Sequence, residues 1–259
     1  MADPEKLLRR FVRVIGCAPP YPSAGWPTSS HLIGFDDQRI LLDCGHGAVQ
    51  ELLKHCSIED LTAVVISHMH PDHWFDLAAL RNVCFHRGIT DLTVALPIGG
   101  LDIVRRVGEA INQGETYFED VLSFIEYDSN SMPLFGTMLS GDLANHEWPA
   151  RMPRLDFLDG GVVAYTGDTG LASHVGPSLG SPDLLIVECN DVGPRFTSGR
   201  TMKHVNGGEL GALLAQVTPK VSLVTHYDVE FKDEIFRTVL ERNSGLNVVM
   251  ASPGVIVEW

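Results

Sequence analysis

The sequence predicts an α/β protein, on three observations. Short, β-branched, almost wholly apolar runs recur at 61–67, 162–165, 184–187 and 221–225, as strands covered on both faces require. Other segments place apolar residues at helical spacing, as Leu210, Leu213, Leu214 and Val217 do. No internal repeat, low-complexity tract or linker divides the 259 residues, so one continuous domain over 1–259 is expected. Strands alternating with helices build an α/β architecture.

Taken in order, 11–15 (Phe-Val-Arg-Val-Ile) and 39–42 are β-rich, and the second run is closed by Asp43, Cys44 and Gly45. Between them, 18–30 carries four prolines and ends in two serines; it reads as a loop of the kind that borders a site. Val49, Leu52, Leu53 and Cys56 fall at the spacing of an amphipathic helix. The strand at 61–67 then runs straight into His68. A helix at 74–86, a strand at 92–96 and a helix at 101–111 follow. The stretch 115–152 is less regular, with strand-like pieces at 121–125 and 134–139. After the strands at 162–165 and 184–187, Asn206 and Glu209 have capping-box spacing and open the helix that carries Leu210 to Val217. The strand at 221–225 delivers the chain into His226, and a helix at 231–242 and strands at 248–250 and 255–258 complete the order.

Acidic residues outnumber basic ones, 33 to 19, for a formal charge of −14. Nucleic-acid binding draws on Lys and Arg to displace counterions, so extended nucleic acid is disfavoured as a partner. Residues 1–10 are polar and charged, and nowhere do about 18 uncharged apolar residues run together. The expectation is a cytoplasmic protein without a membrane partner. Cys17, Cys44, Cys56, Cys84 and Cys189 are odd in number and never form a C-x-x-C pair, which predicts buried free thiols rather than a disulfide framework or zinc knuckle.

The chemistry concentrates in Ser67-His68-Met69-His70-Pro71-Asp72-His73, where four potential metal ligands fall within six residues directly after a buried strand. Imidazole and carboxylate ligate zinc and related divalent ions. Buried His and Asp need partners, and a metal supplies them.

This run is the H-x-H-x-D-H motif of the metallo-β-lactamase superfamily, which the chain resembles over essentially its whole length. The resemblance implies an αββα sandwich, two mixed sheets face to face with helices outside. It also implies two metal ions, one on His68, His70 and His146, the other on Asp72, His73 and His226, with Asp168 and a hydroxide bridging them. Asp43 matches the acidic residue that supports the ligands from behind. Asp168 and His226 also stand at the C-terminal ends of predicted strands, the edge where α/β sites assemble; His146 rests on the family order. Two such ions promote hydrolysis. His70 stands where the diiron flavoprotein branch has Glu, so redox chemistry is not expected. Nitrogen and oxygen ligands suit zinc, and accept manganese or iron.

Glu188 and His204 resemble a dyad of the ribonuclease Z-like branch, in which the carboxylate orients a histidine that protonates the leaving oxygen. No Gly/Pro- and Lys-rich arm is present, and the clustered cysteines that give some relatives a structural zinc are missing. The resemblance is therefore to the small phosphodiesterases of that branch. The expected function is a dinuclear hydrolase of a small or cyclic phosphodiester, with Asp72, His204 and Glu188 in catalysis. A thioester, ester or lactone hydrolase is the alternative, and a metal-binding accessory protein without activity a third reading. Dimers are common among relatives, so a homodimer is compatible with the resemblance, although no segment announces an interface. Trp26, Trp74 and Trp148 flank the motifs, where aromatics are more often core than pocket. Arg195 and Arg200 lie between Glu188 and His204 and read as solvated loop charges. His31, His46, His55, His86 and His174 are scattered and not expected to bind metal, with His31 set apart only because it closes the Pro-rich loop.

Overall fold

Strands apolar on both faces need a layer on each side, and the computed structural model, which describes residues 10–147, 149–190, 203–242 and 244–259, supplies them as two sheets packed face to face. The first contains β1 (Arg10–Gly16), β2 (Ser30–Phe35), β3 (Gln38–Leu42), β4 (Ala63–Val65), β5 (Leu92–Pro97), β6 (Leu122–Tyr127) and β14 (Ile256–Glu258), in the order β14-β1-β2-β3-β4-β5-β6. The second contains β7 (Met132–Leu134), β8 (Thr137–Leu143), β9 (Arg151–Phe157), β10 (Val162–Tyr165), β11 (Leu184–Glu188), β12 (Val221–Thr225) and β13 (Val248–Met250), in the order β13-β12-β11-β10-β9-β8-β7. Each sheet has an antiparallel part and a parallel part. Strands β3 to β6 run parallel in one, and β10 to β13 in the other. The αββα expectation holds.

Inner faces meet through residues such as Val14, Ile33 and Leu42 from one sheet and Leu155, Tyr165 and Leu185 from the other. Helices α1 (Ala48–Leu52), α3 (Leu77–Arg87) and α4 (Gly100–Ala110) cover the first sheet, with Leu52, Leu80 and Val104 against Leu41 and Val64. Helices α5 (Val175–Leu179), α6 (Gly207–Val217) and α7 (Lys232–Arg242) join the same cluster as the inner faces, through Leu179, Leu214 and Val239. The capping box opens α6 as expected: Asn206 Oδ1 accepts from the Gly208 and Glu209 amides, and Glu209 accepts from the Asn206 amide at 3.0 Å. Among the described residues no helix is long and apolar enough to cross a membrane. All five cysteines are free; four are buried and Cys56 is half-buried.

Several elements differ from the sequence reading. The helix expected around Val49 to Cys56 ends at Leu52, and Leu53 is 40% exposed. The helix expected at 74–86 becomes two, α2 (Pro71–Trp74) and α3. The strand expected at 134–139 is a hairpin, because Phe135 and Gly136 take positive φ and turn the chain between β7 and β8. Strands β2 and β9 were not expected.

What this topology positions is one edge of the sandwich. Strand β3 leads to Asp43, β4 to His68 and β10 to Asp168, β11 finishes on Glu188 and β12 leads to His226. Ligand-type residues therefore converge from both sheets.

Candidate metal centre

Asp43 is the foundation. It is fully buried, and its carboxylate accepts from the Ser67 amide at 2.7 Å, Ser67 Oγ at 2.8 Å, Tyr165 OH at 2.7 Å and His73 Nδ1 at 2.6 Å. An ionised carboxylate only accepts, so Nδ1 of His73 donates to it and Nε2 is turned toward the site. There Nε2 lies 3.2 Å from Asp72 Oδ2 and 3.3 Å from Asp168 Oδ1. Pro71 opens α2 at a position that favours proline, and this short helix carries Asp72 and His73.

The remaining ligand-type residues gather around Asp168. His226 Nε2 is 3.3 Å from Asp72 Oδ2 and 3.4 Å from Asp168 Oδ1. His68 Nε2 and His146 Nε2 are 3.8 and 3.9 Å from Asp168 Oδ2. His146 donates from Nδ1 to the Lys203 carbonyl at 3.1 Å, which leaves Nε2 as an acceptor 3.1 Å from His70 Nδ1. Two groups result, His68-His70-His146-Asp168 and Asp72-His73-Asp168-His226, each with its donor atoms within 4.8 Å of one another.

These groups fit divalent ions. His68 Nε2, His73 Nε2 and Asp168 Oδ1 are buried with no hydrogen-bond partner among the described residues, a costly arrangement unless something else satisfies them. All three belong to the two groups. Burial would raise the Asp168 carboxyl, but His226 and His73 outweigh it and hold it well below the usual carboxylate range. Burial and the neighbouring His73 keep His68 neutral, as ligation requires.

Beside this centre, Glu188 is fully buried and accepts from the Thr169 amide and from His204 Nδ1, 3.0 and 3.1 Å from its two oxygens. Burial raises the Glu188 carboxyl. Burial alone would depress His204, yet Glu188 and Asp168 together push its imidazole up to about 9. The His204 ring stacks on His226, centroids 5.6 Å apart, and its Nδ1 is 3.8 Å from Asp168.

The Pro-rich segment does border the site. Thr28 Oγ1 donates to the Asp72 carbonyl at 2.8 Å. Gly45 lies so close that an added Cβ would run into both that carbonyl and the Thr28 hydroxyl. Gly45→Ala is therefore expected to displace Asp72 and weaken metal binding by roughly 10- to 100-fold, the scale of disturbing a ligand's support; chelator competition measures it, and wild-type affinity would refute the account. Trp26 packs at 6.3 Å on Tyr227, the residue after His226, and lines a cavity of about 290 Å³ with His46, Gln50 and Lys54. Trp74 is core, donating from Nε1 to the Met69 carbonyl.

All seven sequence-predicted ligands come together, as does the Glu188–His204 pair. His31, His46, His55, His86 and His174 join none of these groups among the described residues. Trp148, Arg195 and Arg200 lie outside the described residues. Sequence reasoning missed Tyr165 and Ser67 as partners of Asp43; the signal available was Tyr165 closing an apolar strand three residues before Asp168.

A two-sheet sandwich with paired His/Asp groups at one edge defines a protein of the metallo-β-lactamase fold. Residues 38–227 match the Beta-lactamase superfamily domain, and the chain belongs to that superfamily. Among its relatives is the probable metallo-hydrolase YhfI of Bacillus subtilis, 27% identical over 83% of this chain and 86% of that one. The crystal structure of YhfI superposes with a TM-score of 0.83 at 23% identity, over 96% of this chain and 99% of that one. Ribonuclease Z of Clostridioides difficile is 31% identical over 49% of this chain and 41% of its own length. A diphosphatase of the PhnP family shares the fold, with a TM-score of 0.72 at 16% identity over 97% and 98% of the two chains.

Proposed function

We propose that the protein is a dinuclear metal-dependent phosphodiesterase acting on a small or cyclic phosphodiester. The observation that carries this reading is the buried Glu188–His204 pair set against the two His/Asp groups. His68, His70 and His146 would hold one ion, Asp72, His73 and His226 the other, and Asp168, common to both groups, would be shared. Two such ions, zinc, manganese or iron, supply an activated water and neutralise charge on the phosphate oxygens.

The chain's own residues manage the leaving group. Glu188 orients the His204 ring by accepting from Nδ1, and its charge keeps the imidazole protonated near neutral pH. Nε2 is then free to hand its proton to the departing alkoxide, which leaves reluctantly without one. A small substrate is consistent with the acidic balance of the chain, 33 Asp and Glu against 19 Lys and Arg, which offers a long polyanion little net attraction.

The relationships to ribonuclease Z and to a PhnP-family diphosphatase support phosphoester chemistry. The test is turnover of bis(p-nitrophenyl) phosphate by protein loaded with zinc or manganese, beside Asp72→Ala. Turnover that disappears in the variant is expected. A preparation holding two ions that ignores the diester and cleaves thioesters or lactones would replace this reading with acyl hydrolysis.

A further inference from the structure

Three ring nitrogens that face away from the paired His/Asp groups are held in place. His73 Nδ1 donates to Asp43, His146 Nδ1 to the Lys203 carbonyl, and His68 Nδ1 lies 3.1 Å from Ser67 Oγ. His226 differs: its Nδ1 is buried and has no hydrogen-bond partner among the described residues. On that side its ring takes its direction from the backbone, while Asp72 Oδ2 meets Nε2 at 3.3 Å and the His204 ring stacks on its face. That backbone is left-handed, with φ of 57°, a conformation that a residue with a Cβ keeps only where its surroundings over-determine it.

The preceding residue supplies a constraint. Thr225 ends β12 in the second sheet, is fully buried, and places Oγ1 3.0 Å from Nε2 of His31 on β2 in the first sheet. His31 is itself fully buried, and its other ring nitrogen has no hydrogen-bond partner among the described residues. Its ring packs 5.4 Å from that of Tyr165, whose hydroxyl bonds Asp43. Two side-chain bonds thus join the sheets behind the centre. Tyr165–Asp43 braces the ligands carried after β4, and His31–Thr225 braces the one carried after β12. An apolar side chain would fill the space of His31 without burying a polar ring, so the bond to Thr225 is the feature that calls for a histidine.

We infer that His31 is a positioning residue, holding through Thr225 the left-handed backbone that aims His226 Nε2 at the ion shared with Asp72 and His73. His31 is not itself a ligand. The inference rests on the metal assignment proposed above.

The test is zinc affinity, by competition with a chromophoric chelator, for wild type, His31→Leu, the near-isosteric Thr225→Val and His31→Gln. The melting temperature of each ion-free protein and kcat and KM on the diester accompany it. Wild type is expected to bind two ions. His31→Leu and Thr225→Val should weaken one of the two by roughly 10- to 100-fold, the usual consequence of losing a ligand's supporting partner. The other ion should bind unchanged, kcat should fall with KM nearly constant, and His31→Gln, which can still reach Thr225, should recover most of the loss. Wild-type affinity at both sites in both variants would overturn the role of His31. Equal weakening at both sites with a lowered ion-free melting temperature would also overturn it, since that is general destabilisation. Fewer than two ions on wild type would overturn the metal assignment, and the inference with it.

Discussion

Asp168→Ala is expected to lower kcat/KM by roughly a thousandfold or more and to leave less than one ion per chain. Asp168 contributes to both His/Asp groups, with its oxygens 3.3 Å from His73 Nε2, 3.4 Å from His226 Nε2 and 3.8 Å from His68 Nε2. The surrounding imidazoles keep it ionised despite complete burial. In the proposed assignment, removing it would take a donor from each ion and delete the charge that would offset their mutual repulsion. Chelated wild type is the reference: it should lose activity to the same extent and recover when ions return, whereas the variant should not. Free ion a thousandfold above its dissociation constant stabilises by about 4 kcal/mol, so loaded wild type should melt roughly 10 °C above its chelated form. The variant should show no such gap. Two ions and a tenth of wild-type activity in Asp168→Ala would refute the shared-ligand assignment.

His204→Ala should show its effect through the leaving group. A general acid contributes about two to four orders of magnitude where the departing oxygen needs a proton, so an alkyl phosphodiester should lose that much in kcat. A p-nitrophenyl diester, whose phenolate departs without help, should lose far less. Glu188→Gln should give an intermediate loss and a displaced pH profile. The sign follows from the pair: Glu188 raises the His204 pKa, the acid works only while protonated, and activity falls as pH rises through that pKa. Without the carboxylate the pKa drops and the alkaline limb moves to lower pH. An equal loss for alkyl and aryl diesters would assign His204 to binding rather than proton transfer.

Legibility in the sequence depended on whether the deciding interaction was local. His68, His70, Asp72 and His73 could be read because six residues of turn carry them. Asp168 and His226 could be read because each follows an apolar strand. His146 sits in an irregular stretch and depended on the order of ligands in the family. Strand β2 was missed because its sequence, Ser-His-Leu-Ile-Gly-Phe, lacks a period; it is buried throughout, and Gly34 is required where the Phe11 ring lies on the backbone. Strand β9 contains Pro153 and two arginines, and exists because β8 and β10 pair with it from either side. Pairing to β10 reaches Arg154 and stops before Pro153, which has no N–H to offer. Two bonds that join the sheets, Tyr165–Asp43 and His31–Thr225, link residues far apart in the chain and leave no pattern in it.

The seam between β1 and β14 bears on how the protein is made. Phe11 pairs with Glu258, and the Val14 amide with the Val255 carbonyl, so one edge of β1 stays open until about 250 further residues have left the ribosome, roughly 10 to 50 s at ordinary rates of elongation. During that interval Phe11, Val12 and Val14 sit on an unpaired strand edge, a template for pairing with other nascent chains. Slower initiation at low temperature, or a holdase that covers this edge, should therefore raise soluble yield more than any change at the metal centre.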